Sequence, residues 1–212
     1  MITSLFDRSG FAQHDMARFW SKVLLKMGFV QCRVFGLEKL DLNRSYVFVS
    51  NHASYMDTPA ILSTVPMQFR FFAKKGLFSI PFLGWHLRHA GHIPVIRDDA
   101  RASLRSMMDG AKLIQERGVS LLLFPEGGRV KTGMRDFKEG AAYLAIKAGA
   151  PAVPIGLVGT REVLPMGTIV IRPGTLEVHV GDPIETRNMT SKDRERLSEM
   201  LRERVGDLVN AA

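Results

Sequence analysis

At 212 residues, with 46% hydrophobic and 24% charged residues, the chain is long enough for a domain with a sizeable core and too apolar for a disordered one. A formal charge of +8 suits nucleic acid, an anionic membrane or a phosphate-bearing substrate, and composition does not choose among these. Cys32 is the only cysteine, which excludes an intrachain disulfide, makes a cysteine-based metal site a poor fit and agrees with a reducing compartment.

Residues 11–30 have the pattern of an amphipathic helix. Met16, Phe19, Trp20, Val23, Leu24 and Met27 recur at helical spacing, with Arg18, Lys22 and Lys26 along another face. A basic helix carrying Phe and Trp has the composition of an interfacial membrane anchor; the alternative is a helix docked on its own domain. No signal-peptide h-region and no run of about 18 apolar residues occurs, so contact with a bilayer is expected from its surface. The expected division is an N-terminal amphipathic, membrane-associating helical segment over 1–33 and a single domain over 34–212, with no repeat or linker between.

From residue 46 short apolar runs alternate with helical patterns. Strands are expected at Tyr46–Ser50, Gln68–Ala73, Ile93–Ile96, Val119–Phe124, Val153–Val158, Thr168–Arg172 and Leu176–Val180. Helices are expected at Ser54–Ser63, Pro81–Ala90, Arg101–Arg117, Asp136–Ala148 and Lys192–Leu208. This alternation predicts an α/β fold with a sheet flanked by helices. The last two strands, separated by Pro173-Gly174, look like a hairpin, which makes the sheet mixed.

Three segments carry candidate chemistry. In Val49-Ser50-Asn51-His52-Ala53-Ser54-Tyr55-Met56-Asp57 a strand gives way to a helix, where open α/β sheets place their sites. Inside one regular helix, His52 and Asp57 would point about 140° apart. With His52 in the loop, the carboxylate can reach back, fix the imidazole tautomer and leave the other nitrogen to take a proton from a hydroxyl. Ser54-x-x-Asp57 is equally a capping-box pattern, in which Asp57 only satisfies backbone N–H groups. Leu121 to Arg129 is a strand running into a turn with Gly127 and Gly128, then Arg129, a residue suited to bidentate phosphate binding; a plain exposed turn is the alternative. Between residues 74 and 97, Lys74, Lys75 and Arg97 are candidate phosphate ligands, beside Phe78, Phe82, Leu83, Trp85 and Leu87, which suit an acyl groove, a lipid-facing surface or core. His86, His89 and His92 do not make a metal site, because only His86 and His89 share a helical face and no acidic ligand adjoins them.

Together these segments resemble the glycerolipid acyltransferase family, specifically the 1-acylglycerol-3-phosphate acyltransferases. Asn51, His52 and Asp57 match the family's first motif, Asn-His-x4-Asp. Lys74, Lys75, Leu77, Pro81, Gly84, Gly91 and Arg97 match its second. Phe124, Pro125, Glu126, Gly127 and Arg129 match Phe-Pro-Glu-Gly-Thr-Arg, Phe137, Lys138 and Gly140 match the Phe-Lys-x-Gly step after it, and Val153, Pro154 and Ile155 match the fourth motif. The second motif's Glu and Asp are replaced by Gly76 and Ile96, and the third motif's Thr by Gly128.

The resemblance implies a mixed, largely parallel sheet and an O-acyltransferase moving a fatty acyl group from acyl-CoA or acyl carrier protein to 1-acylglycerol-3-phosphate. By it, His52 and Asp57 are catalytic, while Arg97, Phe124, Glu126, Gly127, Arg129 and Lys75 form the substrate side; no metal or other cofactor is expected. It also implies an enzyme at the cytoplasmic face of the inner membrane, peripheral or monotopic. The altered second and third motifs keep another lysolipid, such as lyso-ornithine lipid, as an alternative acceptor, and an inactive lipid-binding module is the alternative of a different class. Nucleic acid is not an expected partner, since no basic helix or stacking-aromatic motif accompanies the charge.

Overall fold

A sheet of seven strands organises the described residues, which in this computed structural model are 7, 9–96 and 99–211. The strands are β1 (Val30–Phe35), β2 (Val47–Ser50), β3 (Phe69–Lys74), β4 (Ile93–Val95), β5 (Ser120–Leu123), β6 (Ala152–Val158) and β7 (Gly174–Val180), in the spatial order β1-β7-β6-β2-β5-β3-β4. Every neighbouring pair is parallel except β6 and β7. The helices are α1 (Phe11–Met27), α2 (Asp57–Thr64), α3 (Leu83–His89), α4 (Ala100–Arg117), α5 (Gly140–Ala148), α6 (Thr160–Val163) and α7 (Arg194–Asn210).

The period of two along the central strands divides the core. Phe48 of β2 and Leu122 of β5 join Leu25 of α1 and Ile61 of α2 on one face. Val47, Val49, Leu121 and Leu123 join Met107 and Ile114 of α4, Leu144 of α5, and Leu197 and Leu201 of α7 on the other. A small third cluster of Phe78 and Leu87 meets the first through Phe71, which places α3 on the α1 side. Both faces are therefore covered, as a largely parallel sheet requires. The α4 helix begins where the Asp99 side chain accepts from the Ala102 N–H at 2.9 Å, and Gly118 at φ 62° closes it.

Two strand expectations are corrected. Thr168–Arg172 forms no strand, so there is no hairpin at Pro173-Gly174. The N–H of Val170 goes to Thr168 Oγ1 and that of Arg172 to the Val163 carbonyl, so this segment is tied locally and to the end of α6. The sheet is mixed for another reason: β7 runs antiparallel to β6 and parallel to β1. In turn β1 was not expected as a strand. It lies on a sheet edge, its exposed positions alternate with buried or half-buried ones, and it runs across the division drawn at 33/34.

Candidate active site

The C-terminal ends of β2, β5 and β6 converge, and the loops leaving them build one site. Asn51 fixes the first loop, as its Nδ2 donates to the Leu157 carbonyl at 3.0 Å and its Oδ1 accepts from the Leu157 N–H at 2.8 Å. The side-chain amide thus continues the β2–β6 ladder for one more residue. His52 follows immediately and is buried to 7% exposure.

The next four residues are not helical, and α2 starts only at Asp57. Ser54 Oγ donates to the Leu164 carbonyl at 2.7 Å and accepts from the Met56 N–H, which holds the turn. The Asp57 carboxylate is fully buried, and its Oδ2 accepts from His52 Nδ1 at 2.7 Å and from the N–H groups of Ala53 and Ser54 at 2.8 and 2.9 Å. Both sequence alternatives for Asp57 are therefore realised by one oxygen: it satisfies backbone donors and it holds the histidine. With a carboxylate at Nδ1, the proton sits there, and Nε2 is the nitrogen that can accept one.

The Phe124–Val130 loop packs on this dyad. The Phe124 ring stacks on the imidazole at 4.1 Å with an interplanar angle of 14°, closing one face of the base. Glu126 is buried, and its two oxygens accept the His52 N–H at 2.7 Å and the Arg135 N–H at 2.9 Å. The Val130 N–H returns to the His52 carbonyl at 3.1 Å, so the histidine's backbone is held by this loop on both sides. Gly127 adopts φ 74°, and a Cβ there would come within 3.2 Å of Lys138 Cε and Nζ. Arg129 lies over the Tyr55 ring with Cζ 3.6 Å from its centroid.

Of the residues singled out in the sequence, His52, Asp57, Phe124, Glu126, Gly127 and Arg129 come together here. Glu126 does so as a buried acceptor for backbone N–H groups. Lys75 is exposed just past β3, and β5 separates that strand from β2. Arg97 lies outside the described residues. Sequence reasoning missed two participants, Tyr55 and the anchoring role of Asn51. The signal for Tyr55 was present: an aromatic residue between the base and its carboxylate that stays 59% exposed. Among the described residues no three His, Cys, Asp or Glu side chains form a metal-binding group. His92 accepts from the Phe71 N–H and stacks on that ring, a packing role.

Two cavities flank this region. A groove of about 920 Å³ between α1 and α3 is lined by Met16, Trp20, Leu62, Phe82 and Trp85 and is almost wholly apolar. It is not lined by His52 or Asp57, but Leu62 sits one and a half turns along α2 from Asp57. A smaller pocket of about 330 Å³ touches Asn51 and Ala53, with Thr160 and Arg161 opposite.

A buried carboxylate–histidine pair where the central strands end, with an arginine beside it, has the geometry that general-base chemistry requires. The chain belongs to the acyltransferase family, whose profile, described as Acyltransferase, matches residues 31–158. It is 35% identical over 184 residues to a chloroplastic 1-acyl-sn-glycerol-3-phosphate acyltransferase of Brassica napus, covering 85% of this chain and 53% of that protein. It is 28% identical over 210 residues to a 1-acyl-sn-glycerol-3-phosphate acyltransferase of Saccharomyces cerevisiae, covering 98% of this chain and 69% of that one. The crystal structure of the 1-acyl-sn-glycerophosphate (LPA) acyltransferase PlsC from Thermotoga maritima superposes with a TM-score of 0.83 at 27% identity, over 99% of this chain and 85% of that one. The chain spans about half the length of the plant relatives it matches, 53% and 48% for two of them.

Proposed function

We propose that this chain is a 1-acylglycerol-3-phosphate O-acyltransferase that works on the cytoplasmic face of the inner membrane as a peripheral or monotopic protein. The observation that carries the reading is the 2.7 Å contact between His52 Nδ1 and Asp57 Oδ2 beside Arg129. The family membership and the activities named for its relatives support it.

In this reaction His52 Nε2 takes the proton of the acceptor's free hydroxyl as that oxygen attacks the thioester carbonyl of acyl-CoA or acyl carrier protein. Asp57 stabilises the imidazolium. The tetrahedral intermediate collapses with loss of the thiolate, which recovers the proton from His52 and leaves as a free thiol. General base catalysis of this kind contributes about 10²–10⁴-fold, and alignment of the two substrates supplies much of the rest. Arg129 holds the acceptor phosphate, with Arg97 and Lys75 as further cations for it. The apolar groove and the basic amphipathic α1 suit a substrate that lives in a bilayer.

Gly76, Ile96 and Gly128, which replace the polar residues usual in the second and third motifs, favour a second reading, a sister enzyme for a lysolipid without phosphate. Purified protein assayed against lysophosphatidic acid and lyso-ornithine lipid, each with acyl-CoA and acyl carrier protein, separates the two. Turnover of lysophosphatidic acid is expected, and turnover of the ornithine lipid alone overturns the acceptor. Undiminished transfer by His52→Ala overturns the base, and no transfer with any pair favours an inactive lipid-binding module.

A further inference from the structure

Only two non-glycine residues among those described have a positive φ, and both are exposed phenylalanines. Phe29, at φ 53° just past α1, is 81% exposed. Phe82, at φ 61° and ψ −51°, is 79% exposed. The Leu83 N–H bonds the Pro81 carbonyl at 2.7 Å, so Phe82 is the centre of a γ-turn of the rare, strained hand. Positive φ is a glycine or asparagine position, and a bulky aromatic side chain there is a true outlier. A ring held against its backbone preference yet buried against little of its own protein gains nothing visible from the fold. Such strain persists where something outside the fold uses the side chain.

Both rings stand on the same side of the sheet. Phe82 shares the apolar groove with Trp20 of α1. Phe29 follows Gly28, over which Ile171 packs so closely that a Cβ would lie 2.7 Å from its Cγ2. Ile171 itself belongs to the core face that holds α1 and α2. Its neighbours Ile169 and Val170 are 96% and 64% exposed, in the segment that forms no strand. Phe19, Trp20 and Met27, exposed at 58%, 60% and 74%, lie on α1 between these two ends.

Charge follows the same boundary. Residues 16–37, 58–97 and 163–176 contain no Asp or Glu at all, while Lys22, Lys26, Lys74, Lys75 and Arg172 among them are exposed. On the opposite face α4 carries Asp109 and Glu116, and α7 carries Glu195, Glu199, Glu203 and Asp207.

We propose that this face, from the α3 cap to the 166–172 segment, docks on an anionic lipid bilayer, with Phe29, Phe82 and the Ile169-Val170 tip as its inserting points. The inference deepens the membrane reading above and rests on it. Contact is then made by three separate parts of the chain, and their spacing fixes how the enzyme lies on the membrane. Apolar rings beside exposed cations, with Asp15 the one exposed acid of α1, match an anionic headgroup layer over acyl chains.

Glycine at the two strained positions provides the test, because folding and docking then move in opposite directions. Phe29→Gly and Phe82→Gly each relieve the backbone, so the thermal midpoint is held or raised. Partitioning onto phosphatidylcholine vesicles doped with phosphatidylglycerol is expected to weaken by about 10-fold in each, the worth of one buried aromatic ring. An Ile169→Ser/Val170→Ser variant, in an exposed segment, should weaken it similarly. Wild-type chain that partitions while all three variants partition equally well overturns the docking face alone. Wild-type chain that does not partition overturns the membrane reading itself. Variants with lowered thermal midpoints and unchanged partitioning mark the rings as structural and also overturn the proposal.

Discussion

Replacing Asp57 by asparagine separates two duties of this carboxylate. Oδ2 takes three donors, His52 Nδ1–H and the N–H groups of Ala53 and Ser54, whereas Oδ1 is buried without a partner among the described residues. An asparagine must keep its oxygen at the Oδ2 position, because a turned amide would aim its own hydrogens at two backbone donors. The proton then stays on His52 Nδ1 and Nε2 remains free. What disappears is charge. Hydrogen bonds to ionised groups are worth about 1.5–3 kcal/mol and neutral ones about 0.5–1.5, so support of the imidazolium weakens by about 1–1.5 kcal/mol. That predicts a fall in kcat of about 10-fold for Asp57→Asn. Asp57→Ala and His52→Ala, which remove the arrangement, should fall by about 10²–10⁴-fold. The buried, unpaired amide NH₂ also costs about 1–3 kcal/mol of stability. Steady-state transfer to lysophosphatidic acid, with urea unfolding of the same preparations, measures both quantities. A folded Asp57→Asn protein as inactive as His52→Ala would mean that the amide has turned and reversed the tautomer, and the reasoning from the two backbone donors would fail.

Glu126→Gln leaves either the buried His52 N–H or the part-buried Arg135 N–H facing an amide NH₂. Urea unfolding should register a loss of about 1–3 kcal/mol, and kcat should drop as the histidine loop loosens. Tyr55→Ala removes the ring under Arg129, an interaction worth about 0.5–2 kcal/mol. The KM for lysophosphatidic acid should rise by about 2- to 30-fold with kcat held, and Tyr55→Phe should restore it. Acid stability depends on two histidines the chemistry does not use. His14 is pushed down to about 3 by burial and by Arg70 and Arg18, and His92 is held well below its ordinary range by burial and then by Arg70. Unfolded histidines titrate near 6.5, so below that pH the unfolded chain binds protons the folded chain refuses, and stability falls as pH drops from about 6.5 toward 3. The slope is about 1.4 kcal/mol per pH unit for each histidine, and His14→Phe should remove one such contribution from unfolding free energies measured across that window.

Much of the site was legible because its chemistry is local. His52 and Asp57 are five residues apart, and a strand-to-loop-to-helix change between them suffices to bring the ring to the carboxylate. The Gly127-Gly128-Arg129 turn was legible in the same way, and Gly127 takes a positive φ there. Glu126 was found by type, while its hold on the histidine loop was not legible, since its partner N–H belongs to a residue 74 positions away. Asn51 was placed by motif, yet what it holds is Leu157, 106 positions on. The segment 168–172 misled because β-branched residues favour a strand only where a half-buried pleated surface receives them, and Ile169 and Val170 are exposed.

The sequence by itself determined the α/β alternation, the amphipathic α1 and the pairing of His52 with Asp57, because each is a periodicity or a spacing within one short stretch. Tertiary structure alone decided that β7 turns back along β6 to take β1 as a neighbour, that Glu126 grips the backbone of His52, and that Phe29, Phe82 and Ile169 stand exposed. Those are contacts between distant segments. Their free energy depends on what the rest of the chain brings alongside, which no local pattern encodes.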